Sequence, residues 1–377
     1  MFHTLALDSS IQPLGGVAVR KCVLRAIVIL IVGTCPAQGR AAPNQPLPHA
    51  PITISSDADF ATCACVVRGD GSAAAPYQIG PWKIDDLSLG YAVKITGGHN
   101  ISKYFALVGI TSNPPAGSVA PDSAVIWIAA VTLPTTVQGT TANAAGTGVR
   151  ITDSLHIRLD GSNLNKMLGN GHVVIGSSDI VVTNSKLKAE QSGMVLIDSS
   201  HVRIGADGRC AQPYSCNDFT YDEAYGLFIL NSSDVLVEGL NAAANDTAGI
   251  VLSGSGTSRV EIRFSQVSGN GPICHTVQPS RERVHTGLEV DHNGGIVLIN
   301  GAHDNYIHDN NVHADTGFDL RSGGNGTFVD PCTGAVIAIV PASAPMGLDN
   351  QFSPGPNCYS TTNISPAPPK ANKCAGG

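Results

Sequence analysis

Seven segments of this chain repeat one pattern at a near-constant interval: GVRITD from Gly148, GHVVIGS from Gly171, GMVLIDS from Gly193, GLFILNS from Gly226, GIVLSGS from Gly249, GIVLING from Gly295 and GFDLRS from Gly317. The steps from start to start are 23, 22, 33, 23, 46 and 22 residues, so the long ones amount to one unit plus about half and to two units. Further β-branched runs led by serine pairs, SSDIVV, SSHVRI and SSDVLV, fall between them. Each unit of about 22 residues therefore holds several short strands and no helix. Such a unit is too small to bury its own apolar side and must stack on copies of itself, which makes the chain a solenoid.

One array of this kind can absorb most of 377 residues without a domain boundary. Charged residues are 14%, with 42 Gly and 23 Pro, as expected when many tight turns alternate with half-buried strands. The net charge of −7 and the lack of any basic stretch in the array argue against nucleic acid as a partner.

Arg20, Lys21 and Arg25, then AIVILIVG, then PAQGRAAP have the charged, apolar and small-residue parts of an export signal. The apolar run is too short to span a bilayer, so no stable membrane span is expected once the signal is cut before Arg40. The expected location is secreted or periplasmic. Eight cysteines then remain, an even set for which disulfides are the default in an oxidising compartment. Cys210 and Cys216 share one inserted loop and are expected to pair, while Cys358 and Cys374 would staple the tail. Cys63 and Cys65 put both sulfurs on one face of an extended strand, which leaves a soft-metal dithiolate open as an alternative. The expected boundaries are a signal region at 1–39, an N-terminal cap at 40–89, the solenoid at 90–325, and a loop-rich, disulfide-tied cap and tail at 326–377.

Alternation assigns faces within a coil. If Val149, Met194, Leu227, Ile250 and Ile296 point inward, so do Ile151, Leu196, Ile229, Leu252 and Leu298. Val173, Ile175, Val195, Ile197, Phe228, Leu230, Val297 and Ile299 must then point out. Coils stack about 4.8 Å apart, so these form a continuous apolar stripe that something should cover. The extra residues of the two long steps fall at about 205–225 and 271–293. Both insertions are expected to leave from one edge of the solenoid, just before a first strand, and to fold across the stripe.

The coil GIVLINGAHDNYIHDNNVHADTGFDL resembles the right-handed parallel β-helix proteins of the pectin-lyase-like fold, with its Gly, inward aliphatics, Asn or Asp, then N-x-I-x-x-N-x-V. VRGDGSAAAPYQIGPWKI is similar to the cap of NosD-type proteins and of the broader set called carbohydrate-binding and sugar-hydrolase repeats. The resemblance implies an all-β, right-handed parallel β-helix. For activity it leaves lyases, hydrolases, epimerases, adhesins and copper-associated accessory factors open.

Aromatic residues, the platforms on which sugar rings stack, are only 5% of the chain, and Trp82 and Trp127 are the sole tryptophans. Asp153 and Asp198 occupy equivalent positions two coils apart, either as a carboxylate pair about 9.5 Å apart or, as the matching Asn231 and Asn300 suggest, as turn residues. Asp222, Glu223, Glu289 and Asp291 are expected in loops beside the stripe, and Glu289, Asp291 and His292 are the candidate catalytic group. Half of the twelve histidines lie between His275 and His313, and His285, His292 and His303 are the candidate metal ligands, with no cofactor assigned. The overall expectation is an exported protein that binds an extended polysaccharide or cell-surface glycan on its lateral face. The alternatives are a polysaccharide lyase, hydrolase or epimerase, and a NosD-like periplasmic copper accessory factor.

Overall fold

Three short strands per repeat, separated by tight turns, wind the chain into stacked coils, as in Thr147–Thr152, Leu155–Asp160 and Asn163–Asn165 followed by His172–Ile175, Ser178–Thr183 and Lys186–Lys188. The structure, a computed structural model, describes residues 45–115, 117–120, 122–188, 190–205, 216–271, 294–308 and 310–313, together with the segments 320–322, 326–329, 336–340, 351–352 and 364–365. Each coil adds one strand to each of three sheets, of 11, 11 and 10 strands among the described residues, parallel except where Val66–Arg68 pairs antiparallel with Tyr77–Ile79. The first sheet carries the glycine-led segments, the second the serine-led ones, and the third the shortest strands.

Register is continuous from coil to coil. Ile151 pairs with Val174, and the column continues through Leu196, Ile229, Leu252 and Leu298, all fully buried. Met194 and Leu227 stack beside them, also fully buried, so the inward assignment read from alternation holds. The second and third sheets close the core with Leu159, Val182 and Ile204 and with Leu164, Leu187 and Phe219. Such aligned apolar columns make each coil the template for the next.

The recurring glycine has a steric cause. A Cβ on Gly193 would come within 2.7 Å of the Gly226 carbonyl and 2.9 Å of Asp222 Oδ2, and one on Gly226 within 2.8 Å of both the Gly249 carbonyl and Asn245 Nδ2. The serine pairs have one too. Ser154, Ser177, Ser199 and Ser232 are buried, and each hydroxyl accepts the backbone N–H one coil earlier, of Val131, Ser154, Ser177 and Ser199, at 3.0–3.1 Å. Each then donates to the carbonyl two residues before it, at 2.7–2.9 Å. The residue before each serine turns the corner in the left-handed region, with Asp153 at φ 50°, Asp198 at 47° and Asn231 at 47°. Asp153 and Asp198 are therefore turn residues.

The N-terminal stretch holds a helix that the strand pattern did not announce, Asp57–Thr62. Its capping box is legible afterwards in Ser56 and Asp59, whose carboxylate accepts the backbone N–H groups of Ser55 and Ser56. Strands Leu47–Pro48, Ile52–Ile54 and Tyr77–Ile79 already pair in parallel with the next coil, so the array starts within the 40–89 stretch. Cys63 and Cys65 are joined in a disulfide, which removes the dithiolate alternative. Cys216 is disulfide-bonded and buried, while Cys210, Cys358 and Cys374 lie outside the described residues.

Two expectations need correction. Asn217–Thr220 is a regular strand of the third sheet, so the first insertion is confined to about 206–216 and sits between a second and a third strand. The second insertion does precede a first strand, Gly294–Ile299, after the third strand Gln266–Ser268. The two therefore leave from different corners. Asp222 is also no loop carboxylate beside the stripe: it is fully buried inside the coil.

Candidate functional site

The outer face of the first sheet changes character along the solenoid. One outward column runs in register through Thr53, Lys94, Trp127, Arg150, Val173, Val195, Phe228, Val251, Val297 and Arg321. The column beside it runs Thr96, Ala129, Thr152, Ile175, Ile197, Leu230, Ser253 and Ile299. No carboxylate occurs in either column among the described residues, although the whole chain carries −7.

At the N-terminal end Trp127 lies between two cations from adjoining coils. Lys94 Nζ sits 4.1 Å from the centroid of its ring and the Arg150 guanidinium 5.5 Å from it. Tyr91 extends the aromatic surface, 5.5 Å from Lys94 Nζ, and its hydroxyl is 2.9 Å from Thr53 Oγ1. The Trp127 indole N–H reaches Thr152 Oγ1 at 3.5 Å. All but Thr53, which is exposed, are half-buried. Stacking every 4.8 Å along a sheet places aromatic and cationic groups at spacings a flat, charged ligand can straddle. The composition alone, with two tryptophans in 377 residues, gave little hint of this; the signal lay in the register of Lys94, Trp127 and Arg150 at one outward position.

Further along, the apolar stripe is half-buried at Ile175, Val195, Ile197, Phe228 and Leu230. It becomes fully buried at Val251 and Val297, which form with Ala248 and Ile299 a second apolar cluster, separate from the interior, against which Tyr225 and Phe228 pack. The Tyr225 and Phe228 rings stack 5.2 Å apart. The stripe is thus a real feature that passes from partly open to covered toward the C-terminal coils.

Glu289, Asp291, His292 and His285 lie outside the described residues, immediately before Gly294–Ile299. His303 is described and lies on the corner after that strand. Its ring nitrogens are 2.8 Å from Asp304 Oδ2 and 3.2 Å from the Ser255 carbonyl oxygen. On the second sheet, polar groups pair along a row of left-handed turn residues: His156 Nδ1 meets Asp179 Oδ2, and Arg259 donates two bonds of 2.7 Å to Asp234. The Arg259 guanidinium holds the Asp234 carboxyl at about 2. That face is self-paired, in contrast to the first sheet.

Stacked parallel coils with three sheets define a parallel β-helix. The family described as "Right handed beta helix region" matches residues 124–337, more than half of the chain, and the protein belongs to it. No match is found among curated proteins. Among solved structures the chain is similar to a crystal structure of the periplasmic alginate epimerase AlgG, at 13% identity and TM-score 0.45, covering 73% of this chain and 66% of that one. Two single-substitution variants of that epimerase match at TM-scores 0.44 and 0.34, with 13% and 12% identity. The chain spans about 66% of the epimerase's length. Among the described residues, no helix is long and apolar enough to cross a membrane.

Proposed function

We propose that the protein is an exported β-helix that binds an extended glycan along the outer face of its first sheet, with acidic sugars preferred. The observation that carries this reading is Trp127 set between Lys94 and Arg150 on three successive coils of a face whose described outward columns hold no carboxylate. The half-buried indole offers a pyranose ring apolar surface, and the two cations held over its ring attract a carboxylate or sulfate on the sugar. The half-open apolar stripe continues the platform for further sugar units. In this reading Glu289, Asp291 and His292, just before Gly294–Ile299, are the groups that would supply any acid and base chemistry, and binding comes first.

Calorimetric titration with galacturonate oligomers, against neutral glucose oligomers of equal length, tests it. Trp127→Ala should weaken uronate binding by about tenfold or more, the order of one lost stacking contact. Lys94→Ala with Arg150→Ala should remove most of the dependence on salt. Unchanged affinity in both variants, or equal affinity for the neutral oligomer, would refute the acidic-glycan reading.

A further inference from the structure

Two residues after each third strand, one residue per coil points into the solenoid and forms an internal row. The row reads Ala145, Met167, Glu190, Asp222, Asn245 and Asn270, and all but Glu190 follow a described left-handed turn residue, Ala144, Lys166, Tyr221, Ala244 or Gly269. The two asparagines show how the row bonds. Asn245 Oδ1 accepts the Asp222 backbone N–H at 3.0 Å and Asn270 Oδ1 that of Asn245 at 3.0 Å. Their amide nitrogens donate to carbonyls of the preceding coil, Asn245 to Phe219 at 3.3 Å and Asn270 to Ala242 at 3.0 Å.

Asp222 continues only half of this pattern. Its Oδ1 accepts the Glu190 backbone N–H at 3.2 Å, while Oδ2, at the place where the asparagines carry NH2, has no hydrogen-bond partner. The carbonyl that corresponds by register is that of Leu187, an acceptor. A bare carboxylate there sets acceptor against acceptor, whereas a protonated carboxyl donates as the amide does. Glu190, one coil earlier, is fully buried with both oxygens unpartnered, and Oε2 lies where a Cβ on Gly171 would come within 2.3 Å.

We propose that Glu190 and Asp222 form a proton-held joint in the solenoid: protonated, they stand in for the carboxamides of the row, and losing those protons loosens the boundary between strands Ser192–Ile197 and Tyr225–Leu230. These strands carry Val195, Ile197, Phe228 and Leu230, so the joint underlies the candidate binding face. Burial pushes the Glu190 carboxyl well above the carboxylate range, and Asp222 adds to it. Burial does the same to Asp222, with Asp218 and Asp246 adding. Backbone groups oppose this only in part, that of Lys188 at Glu190 and those of Glu190 and Gly193 at Asp222, and among the described residues no side-chain cation is left to compensate. Lys188 is engaged with Asp218 at 2.7 Å, and His172, on the preceding coil beside Gly171, is kept neutral by burial. Because the folded state holds protons that the unfolded state has released, stability falls as pH rises from the ordinary carboxylate range, about 4, through the raised folded values.

The test compares thermal midpoints of the full chain and its Glu190→Gln/Asp222→Asn variant, in which the joint becomes neutral at every pH. The variant should match the wild type at pH about 4 and exceed it at pH about 8. The difference between the two cancels His172, which titrates in both. An equal difference at both pH values would overturn the proposal, as would a wild-type midpoint at pH about 8 that drops on adding EDTA, since a cation rather than protons would then hold the pair. Should the variant not fold, amide exchange in the wild type decides. Protection of the Glu190 amide should fall at least about tenfold relative to Asn245 between pH about 5 and 8, and parallel protection would overturn the joint.

Discussion

His172 occupies the inward column otherwise held by Val149, Met194, Leu227, Ile250 and Ile296, and it is fully buried with neither ring nitrogen well hydrogen-bonded. Burial lowers its pKa to about 3, only partly offset by the Gly171 backbone. The unfolded chain therefore takes up a proton that the folded one refuses: the contribution is intact above about pH 6.5 and is lost as pH falls toward about 3. His172→Leu should raise stability at pH 7 by about 1–3 kcal/mol and flatten the acid side of a urea-denaturation pH profile. Alternation that points Val173 and Ile175 outward also puts His172 inward, but the pattern carries no information on whether an imidazole finds a partner there. The glycine row was legible as a repeat, while its cause, contact with the next coil's side chain and carbonyl, needed the stacked geometry. Gly193→Ala should cost about 1–3 kcal/mol, since Asp222, Phe219 and the Gly226 carbonyl all stand within 3 Å of the added methyl.

Among elements, the corner between the first and second strands is the most regular. A single serine there satisfies a buried backbone N–H of the preceding coil and its own carbonyl two residues back, so the corner bonds coil to coil without relying on apolar contact. Ser177→Ala leaves the Ser154 N–H and one carbonyl contact unmade and should cost about 1–3 kcal/mol in thermal or urea unfolding, with the loss confined to stability. The serine pairs were conspicuous in the sequence, and strand order followed from them. The first insertion was misplaced because spacing between glycines reports only how many residues a coil contains, not which of its three corners holds the surplus. Asn217–Thr220 looked like loop for that reason, and Asp222 was taken with it to the surface. The helix Asp57–Thr62 carries no strand alternation and is marked only by its capping residues Ser56 and Asp59.

At the scale of the molecule, a core of stacked identical columns makes stability additive along the axis, so removing one inward aliphatic in mid-array acts on the coils to both sides. Leu196→Ala should cost about 2–5 kcal/mol, measured by chemical denaturation. The outer surface is where coils differ, and it sorts itself by sheet: paired opposite charges on the second sheet, cations, aromatics and an apolar stripe on the first. Architecture was therefore almost wholly legible, since repetition encodes it many times over. The candidate site was only half legible, because the stripe follows from alternation but the Lys94, Trp127 and Arg150 cluster exists only in the register of three stacked strands. That cluster is the central functional claim. With Trp127 one of two tryptophans in the chain, its fluorescence reports on the face directly. Titrating galacturonate oligomers should change the tryptophan emission saturably, more weakly as salt is raised, and the change should vanish in Trp127→Phe. An emission that is unaltered by the oligomers, or that changes equally in Trp127→Phe, would contradict the account.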